Sequence, residues 1–251
     1  MRIGPVGMQE AEEMGQSKYK RVLLKLSGQS FCEQGGFGID GAQLDSIAAR
    51  IAEISKSGAQ LAVVVGAGNF IRGEKFSAKT QIPRNTADYM GMLTTIINAC
   101  ALQETLEKMG AATRVMSAIK VDALCEPFIL RRAMRHFEQG RIVILAGGTG
   151  NPFFTTDTCA ALRAAELQAD LLIKATKVDG VYSEDPEKNP QAKFFEKLTY
   201  QEVLGKNLRV MDASAISLCR DNKIPIVVIN IFKKGNITKA ICGDPVGTVI
   251  F

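Results

Sequence analysis

Tryptophan is absent from this chain and histidine occurs once, at His136. A multi-histidine metal centre is excluded by that count. His136 follows Arg131, Arg132 and Arg135, which predicts an exposed helix position rather than a catalytic one. No apolar run approaches the roughly 18 residues that a membrane span needs, so no membrane association is expected. No C-x-x-C pair occurs among Cys32, Cys100, Cys125, Cys159, Cys219 and Cys242. Thiols so spaced read as small core residues in a reducing compartment, which points to the cytoplasm. Lys and Arg are scattered, with no run of five, and the net charge is only +5. That is too mild to argue for nucleic acid, but it suits a protein with small anionic ligands. A G-x-x-x-x-G-K-[ST] signature is also missing, so this is not a P-loop kinase.

What is present is a regular alternation. Arg21–Leu26, 61–65, 114–116, 142–146, 171–174 and Ile226–Asn230 read as strands, and the run at 61–65 has no polar alternation, so it is predicted to be buried on both faces. Residues 40–57, 86–109, 126–139, 158–168 and 212–222 read as helices between them. Such a pattern predicts an α/β fold with a mostly parallel sheet covered on both faces. Residues 1–18, rich in Glu, Gln, Gly and Met, have no secretory hydrophobic stretch and read as a mobile tail before a single domain over 19–251.

Four segments carry chemistry. Leu23-Leu24-Lys25-Leu26-Ser27-Gly28 puts a lysine inside a leucine strand, where its ammonium needs an anionic partner. Val65-Gly66-Ala67-Gly68 leads to Arg72, and the third glycine of a dinucleotide fingerprint would fall on Ile71, so phosphate binding fits better than a dinucleotide. Gly147 to Asp157 joins a strand to a helix through glycines, hydroxyls and the pair Phe153-Phe154. Its free N–H groups and the helix end suit a phosphate, and the phenylalanines could wall a flat ring. Lys174 to Pro186 is a strand end with Asp-Gly and Asp-Pro turn signals around Tyr182.

Taken together, these segments resemble the amino acid kinase family, and within it the bacterial-type uridylate kinases. The resemblance runs from about Tyr19 to Phe251 and includes Phe37-Gly38-Ile39-Asp40, Met90-Gly91-Met92-Leu93 and Val210-Met211-Asp212. It implies a three-layer αβα sandwich, a homohexamer, and transfer of phosphate from ATP, with Mg2+, to UMP in pyrimidine nucleotide biosynthesis. It implies that Lys25, Leu26, Ser27, Gly28, Gly68 and Arg72 meet the ATP phosphates, and that Thr176, Tyr182 and Asp185 meet the rest of ATP. It assigns Ala67, Asp88, Thr149, Gly150, Asn151, Pro152, Phe153, Phe154, Thr155 and Thr156 to UMP, with Asp88 as the carboxylate that binds the ribose. Lys25, Arg72 and Asp157 are the implied catalytic group, with Asp157 orienting either Lys25 or a magnesium-bound water.

The residue inventory agrees with this chemistry. A phosphate monoester with a second pKa of about 6 is already a nucleophilic dianion near neutrality, so no histidine base is needed. Ala67 replaces the middle glycine of the family's triplet, which puts its contact with UMP in question. Where relatives that respond to GTP carry basic helix residues, this chain has Gln103 and Glu107, while Arg114 and Arg141 are retained. Weak or absent GTP activation and inhibition by UTP are therefore expected. The rival readings are a kinase of the same fold acting on a carboxylate or carbamate, and a non-catalytic nucleotide- or oxyanion-binding storage protein.

Overall fold

The computed structural model describes residues 17–33, 35–71, 76–78, 80–186, 188–208 and 210–251. Residues 1–16 of the expected tail, and Arg72, lie outside the described residues.

The chain order is β1 (Arg21–Leu26), a 3-10 turn (Gly28–Phe31), α1 (Gly41–Ser55), β2 (Gln60–Val65), α2 (Arg84–Lys108), β3 (Thr113–Ser117) and β4 (Glu126–Pro127). Then come α3 (Leu130–Glu138), β5 (Ile142–Ala146), α4 (Thr156–Glu166), β6 (Leu171–Thr176), β7 (Val181–Tyr182), β8 (Phe194–Phe195) and β9 (Lys197–Leu198). The chain closes with α5 (Tyr200–Gly205), α6 (Ala213–Asp221), β10 (Ile226–Asn230), α7 (Asn236–Cys242) and β11 (Thr248–Ile250). Nine strands form one sheet in the order β4-β3-β5-β2-β1-β6-β10-β11-β9, and only β10 and β11 pair antiparallel in it. β7 and β8 form a separate antiparallel pair.

Side-chain alternation sorts the sheet into two cores. Val22, Leu24 and Leu26 of β1 face α1, α2 and α7, where Ile47, Ile51, Ile96, Leu102 and Ile241 are buried. Leu23 faces the other way, with Ala160, Ala164, Ala215 and Ile216 of α4 and α6. This is the expected αβα sandwich. The central strands are apolar on both faces because both are covered.

Two sequence expectations need correction. The helix expected over 126–139 begins only at Leu130, because Pro127 lacks an N–H and steers Glu126 away from helical geometry; Glu126–Pro127 instead pairs with β3. His136, expected to be exposed, is buried on α3. Its Nδ1 accepts from Arg141 Nη1 at 3.1 Å, because a guanidinium only donates, and its Nε2 lies 3.3 Å from Glu126 Oε2. The basic run RRAMRH hid that polar pocket.

Candidate active site

Parallel strands bring the carboxyl ends of β1, β2, β5 and β6 to one edge of the sheet, where such folds bind ligands. β1 is the middle strand of the nine rather than an edge strand, so Lys25 is buried. It shares the face of Leu23, beneath α4. Lys25 lies directly opposite Lys174 of β6 in the parallel register. Leu171, Ile173 and Ala175 occupy the far core, which turns Lys174 to the same face as Lys25. Two ammonium groups on adjacent strands repel and need a shared anion.

Asp157 is that anion. It sits in the first turn of α4, whose N-cap Thr155 accepts from the N–H groups of Asp157 and Thr158. The Lys25 ammonium stands 2.6 Å from Asp157 Oδ1 as an ion pair, without the alignment of a hydrogen bond. Lys174 Nζ donates to Oδ2 at 2.8 Å and also to the carbonyl of Val210. Burial alone would raise the Asp157 pKa, but Lys25 and Lys174 outweigh it and hold the carboxyl down at about 2. Burial lowers the Lys174 pKa, and Asp157 offsets part of that. The carboxylate and both ammonium groups therefore form one buried charge group with a net positive excess, directed at the loops above it.

Those loops are held by close approach. A Cβ on Gly28 would stand 2.3 Å from the nitrogen of Gly68 and 2.7 Å from the carbonyl carbon of Ala67. Only glycine lets the β1 end touch the β2 end here. Gln29 donates its side-chain amide to the Gly68 carbonyl. Beneath, Asn69 and Asn98 exchange amide hydrogen bonds at 2.9 and 2.8 Å, and Asn98 also donates to the Gly66 carbonyl at 2.8 Å. Thr95 accepts the Gly147 N–H at 2.7 Å. Buried and satisfied, this network fixes the glycine loops to α2.

The loop from Gly147 to Thr155 needs left-handed backbone at Gly147, Gly148 and Gly150, and also at Phe153, where φ is 68°. The Phe153 N–H donates to Asp88 Oδ2 at 2.8 Å, and Arg84 Nε reaches both Asp88 oxygens at 2.9 and 3.0 Å. Thr155 donates its hydroxyl to Asp212, which tethers the far end of the loop to the start of α6.

A cavity of about 480 Å³ lies between these parts. Of the sequence-predicted residues, Ser27, Gly28, Ala67, Gly68, Asp88, Thr149, Phe154, Thr155, Thr156 and Asp157 line it. Lys25 and Leu26 sit in the strand below without lining it, and Gly150, Asn151, Pro152 and Phe153 stand outside its wall. Only one of the two expected aromatic walls, Phe154, faces the cavity. Ala67 avoids left-handed backbone, and a Cβ placed on Gly91 would stand 4.0 Å from its methyl group, which directs it toward α2. Thr176, Tyr182 and Asp185 lie outside this cavity, at the β6 end and along the segment through β7. The Thr176 hydroxyl donates to the Val178 carbonyl at 2.7 Å, and Tyr182 packs edge-on against Phe194 at 5.2 Å.

Sequence reasoning missed Lys174, Arg84 and Asp212 as parts of the site. Lys174 had a legible signal, since it repeats the Lys25 pattern of a lysine late in a buried strand. No cluster of three metal-ligating side chains occurs among the described residues. Both Asp157 oxygens face ammonium groups.

The four positions weighed for a response to GTP lie elsewhere. Gln103 Oε1 accepts the Val115 N–H at 3.0 Å, and Glu107 Oε1 accepts the Thr113 hydroxyl at 2.8 Å. Arg114 Nε is 3.4 Å from Glu126. Gln103, Arg114 and Glu126 line a second cavity of about 350 Å³.

Known proteins place this architecture. The chain is similar to the UMP kinase from Bacillus anthracis, with 40% identity, a TM-score of 0.89, and coverage of 92% of this chain and 96% of that one. It is similar to the UMP kinase from Ureaplasma parvum at 36% identity and a TM-score of 0.86, covering 93% and 99% of the two chains. The uridylate kinase from Archaeoglobus fulgidus is similar at 29% identity and a TM-score of 0.69, covering 92% and 99%. The sequence profile of the amino acid kinase family matches residues 20–230, the stretch that carries eight of the nine sheet strands, the glycine loops and the Lys25–Asp157–Lys174 group, and the chain belongs to that family.

Proposed function

We propose that this protein transfers the γ-phosphate of ATP to UMP, giving ADP and UDP, as an early step of pyrimidine nucleotide supply in the cytoplasm. The observation that carries the reading is the shared cavity: the loops at Gly28 and Gly68, the Asp157 group and the Thr149–Thr156 loop all open onto it. In this reading ATP phosphates meet the N–H groups of Ser27, Gly28 and Gly68. The remainder of ATP extends toward Thr176, Tyr182 and Asp185. UMP lies against Asp88, Phe154 and the hydroxyl-bearing loop, with Arg72 between the two phosphates.

Catalysis then needs placement and charge neutralisation rather than a base. Lys25 and Lys174 give a fixed positive field where two anions must approach, and Asp157 holds both ammonium groups in place. That favours Asp157 as an orienter of lysine. Magnesium carried by ATP would neutralise phosphate charge. The donor set fits a metal held chiefly by nucleotide oxygens and water, as Mg2+ commonly is.

A homohexamer agrees with an apolar stripe on α2. Tyr89, Leu93 and Ile97 recur every fourth residue there and are 43%, 49% and 52% exposed. UTP is expected to inhibit by competing for the UMP site. The test of function is an ADP-release assay over UMP, CMP, dUMP and AMP. Turnover with UMP well above the others supports the reading, and ATP-independent binding without turnover on any acceptor removes it.

A further inference from the structure

Arg84 is the one cation on the described wall of the main cavity for which the family resemblance gives no role. It opens α2, and the cavity-facing side of that helix runs from Arg84 through Asp88, Met92 and Thr95. The next inward residue on that side, Asn98, binds the Gly66 carbonyl at the glycine loops. Seven residues separate Arg84 from Gly91, which faces Ala67, about 10 Å along a helix, so Arg84 stands toward the end of the cavity away from the Gly66–Gly68 loop.

An i,i+4 Arg–Asp pair on a helix surface ordinarily contributes little. This pair differs in three ways. Its carboxylate is only 11% exposed. Both oxygens are held by one nitrogen, Arg84 Nε, at 2.9 and 3.0 Å. Oδ2 also takes the N–H of Phe153, a residue in left-handed backbone, and the Arg84 guanidinium carbon lies 5.9 Å from the Phe153 ring. The terminal Nη groups of Arg84 make no protein hydrogen bond among the described residues. One arginine therefore sets the angle of Asp88, fixes the strained turn of the acceptor loop and keeps donors free at the cavity mouth.

We propose that Arg84 is a positioning and specificity-determining residue for the sugar of the acceptor nucleotide. It aims the Asp88 carboxylate at the ribose hydroxyls and thereby separates ribonucleotide from deoxyribonucleotide acceptors. This inference rests on the UMP kinase reading and deepens it. A carboxylate accepts from a 2′-hydroxyl only if its lone pairs point there; Asp88 lines the cavity, and its Oδ1 takes a bond from Arg84 alone, which leaves it acceptor capacity. A 2′-deoxy acceptor loses that bond and leaves a largely buried charge less satisfied.

Calorimetric titration of wild type, Arg84→Gln and Arg84→Lys with UMP and with dUMP, without ATP, tests this directly. Steady-state KM values for UMP, dUMP and ATP are measured alongside. Wild type binds UMP more tightly than dUMP. Arg84→Gln weakens UMP binding about ten-fold, the scale of one lost charge-assisted contact, and brings the UMP over dUMP ratio toward one. The KM for ATP stays within about two-fold, well below the change on losing a contact. Arg84→Lys recovers part of the ratio, since it keeps the charge without the planar fork, and it is the working variant if Arg84→Gln fails to fold.

An unchanged UMP over dUMP ratio in both variants overturns the inference and leaves the function standing. Equal losses for UMP, dUMP and ATP overturn it too, because they show a merely structural arginine. A wild type that binds neither acceptor overturns the function as well.

Discussion

The Lys25 ammonium and the Asp157 carboxylate meet at 2.6 Å across the gap between the central strand and the first turn of α4. Lys174 completes the group from the neighbouring strand, opposite Lys25 in register. A strand lysine is thus held at a fixed place under two glycine loops by a helix that begins just after the Gly147–Thr155 loop. The end of β1 and the loop that precedes α4 are joined by this contact.

Removal of Lys25 should affect chemistry more than folding. In Lys25→Ala, Asp157 keeps Lys174, so the buried carboxylate still has a cationic partner. Turnover is expected to fall about 100- to 1,000-fold, the scale of losing one preorganised stabilising group. A melting curve should remain cooperative. Near-wild-type turnover would take Lys25 out of the mechanism.

Acid should weaken the fold through Asp157. Its folded pKa, about 2, is below its ordinary value of 3.8. A depressed carboxyl contributes stability above the unfolded pKa and loses it as pH falls through the folded one. Its contribution, on the order of 2 kcal/mol, should therefore fade between about pH 4 and pH 2. Asp157→Asn should flatten this part of a stability–pH curve and lower stability at neutral pH, because two buried ammonium groups lose their counter-ion. An unchanged acid limb in the variant would contradict the assignment.

Gly28→Ala tests the contact between the β1 and β2 ends. The new methyl would meet backbone rather than a flexible side chain. Separation of the loops should destabilise by about 1–3 kcal/mol and raise KM for ATP more than KM for UMP. Equal KM changes for both substrates would show that the two loops do not define an ATP subsite.

Much of this was legible in the sequence, for identifiable reasons. Apolar strands such as Leu61–Val65, alternating with amphipathic helices, specify a covered parallel sheet without any knowledge of long-range contacts. Gly28 and Gly68 announce themselves because tight approach needs glycine, whereas Thr155 caps a helix that begins two residues before its expected start. Lys174 repeated the strand-lysine pattern of Lys25, but that the two share one carboxylate depends on register, which is a tertiary property. Arg84 falls before the helix expected over 86–109, and it gains meaning only from Asp88 and Phe153 beside it. His136 was misread because a run of arginines signals a wet face, whereas Arg141 and Glu126 come from beyond the helix to bury it.

GTP should stimulate weakly or not at all. Gln103 and Glu107 tie α2 to β3 instead of offering cations, Arg114 faces Glu126, and Arg141 donates to His136. A triphosphate would have to displace these contacts and would meet two carboxylates. A GTP titration at subsaturating UMP and fixed free magnesium measures this, with UTP as the competing arm. Stimulation of several-fold, or UTP inhibition that excess UMP does not relieve, would contradict the expectation.

The most direct test of the central claim follows phosphorus through the reaction. ATP, UMP and magnesium are incubated with the enzyme and the products resolved by 31P NMR. The account predicts ADP and UDP in equal amounts, with no inorganic phosphate, and loss of both in Lys25→Ala. ADP formed with free phosphate in place of UDP, or UDP formed equally well by Lys25→Ala, would contradict it.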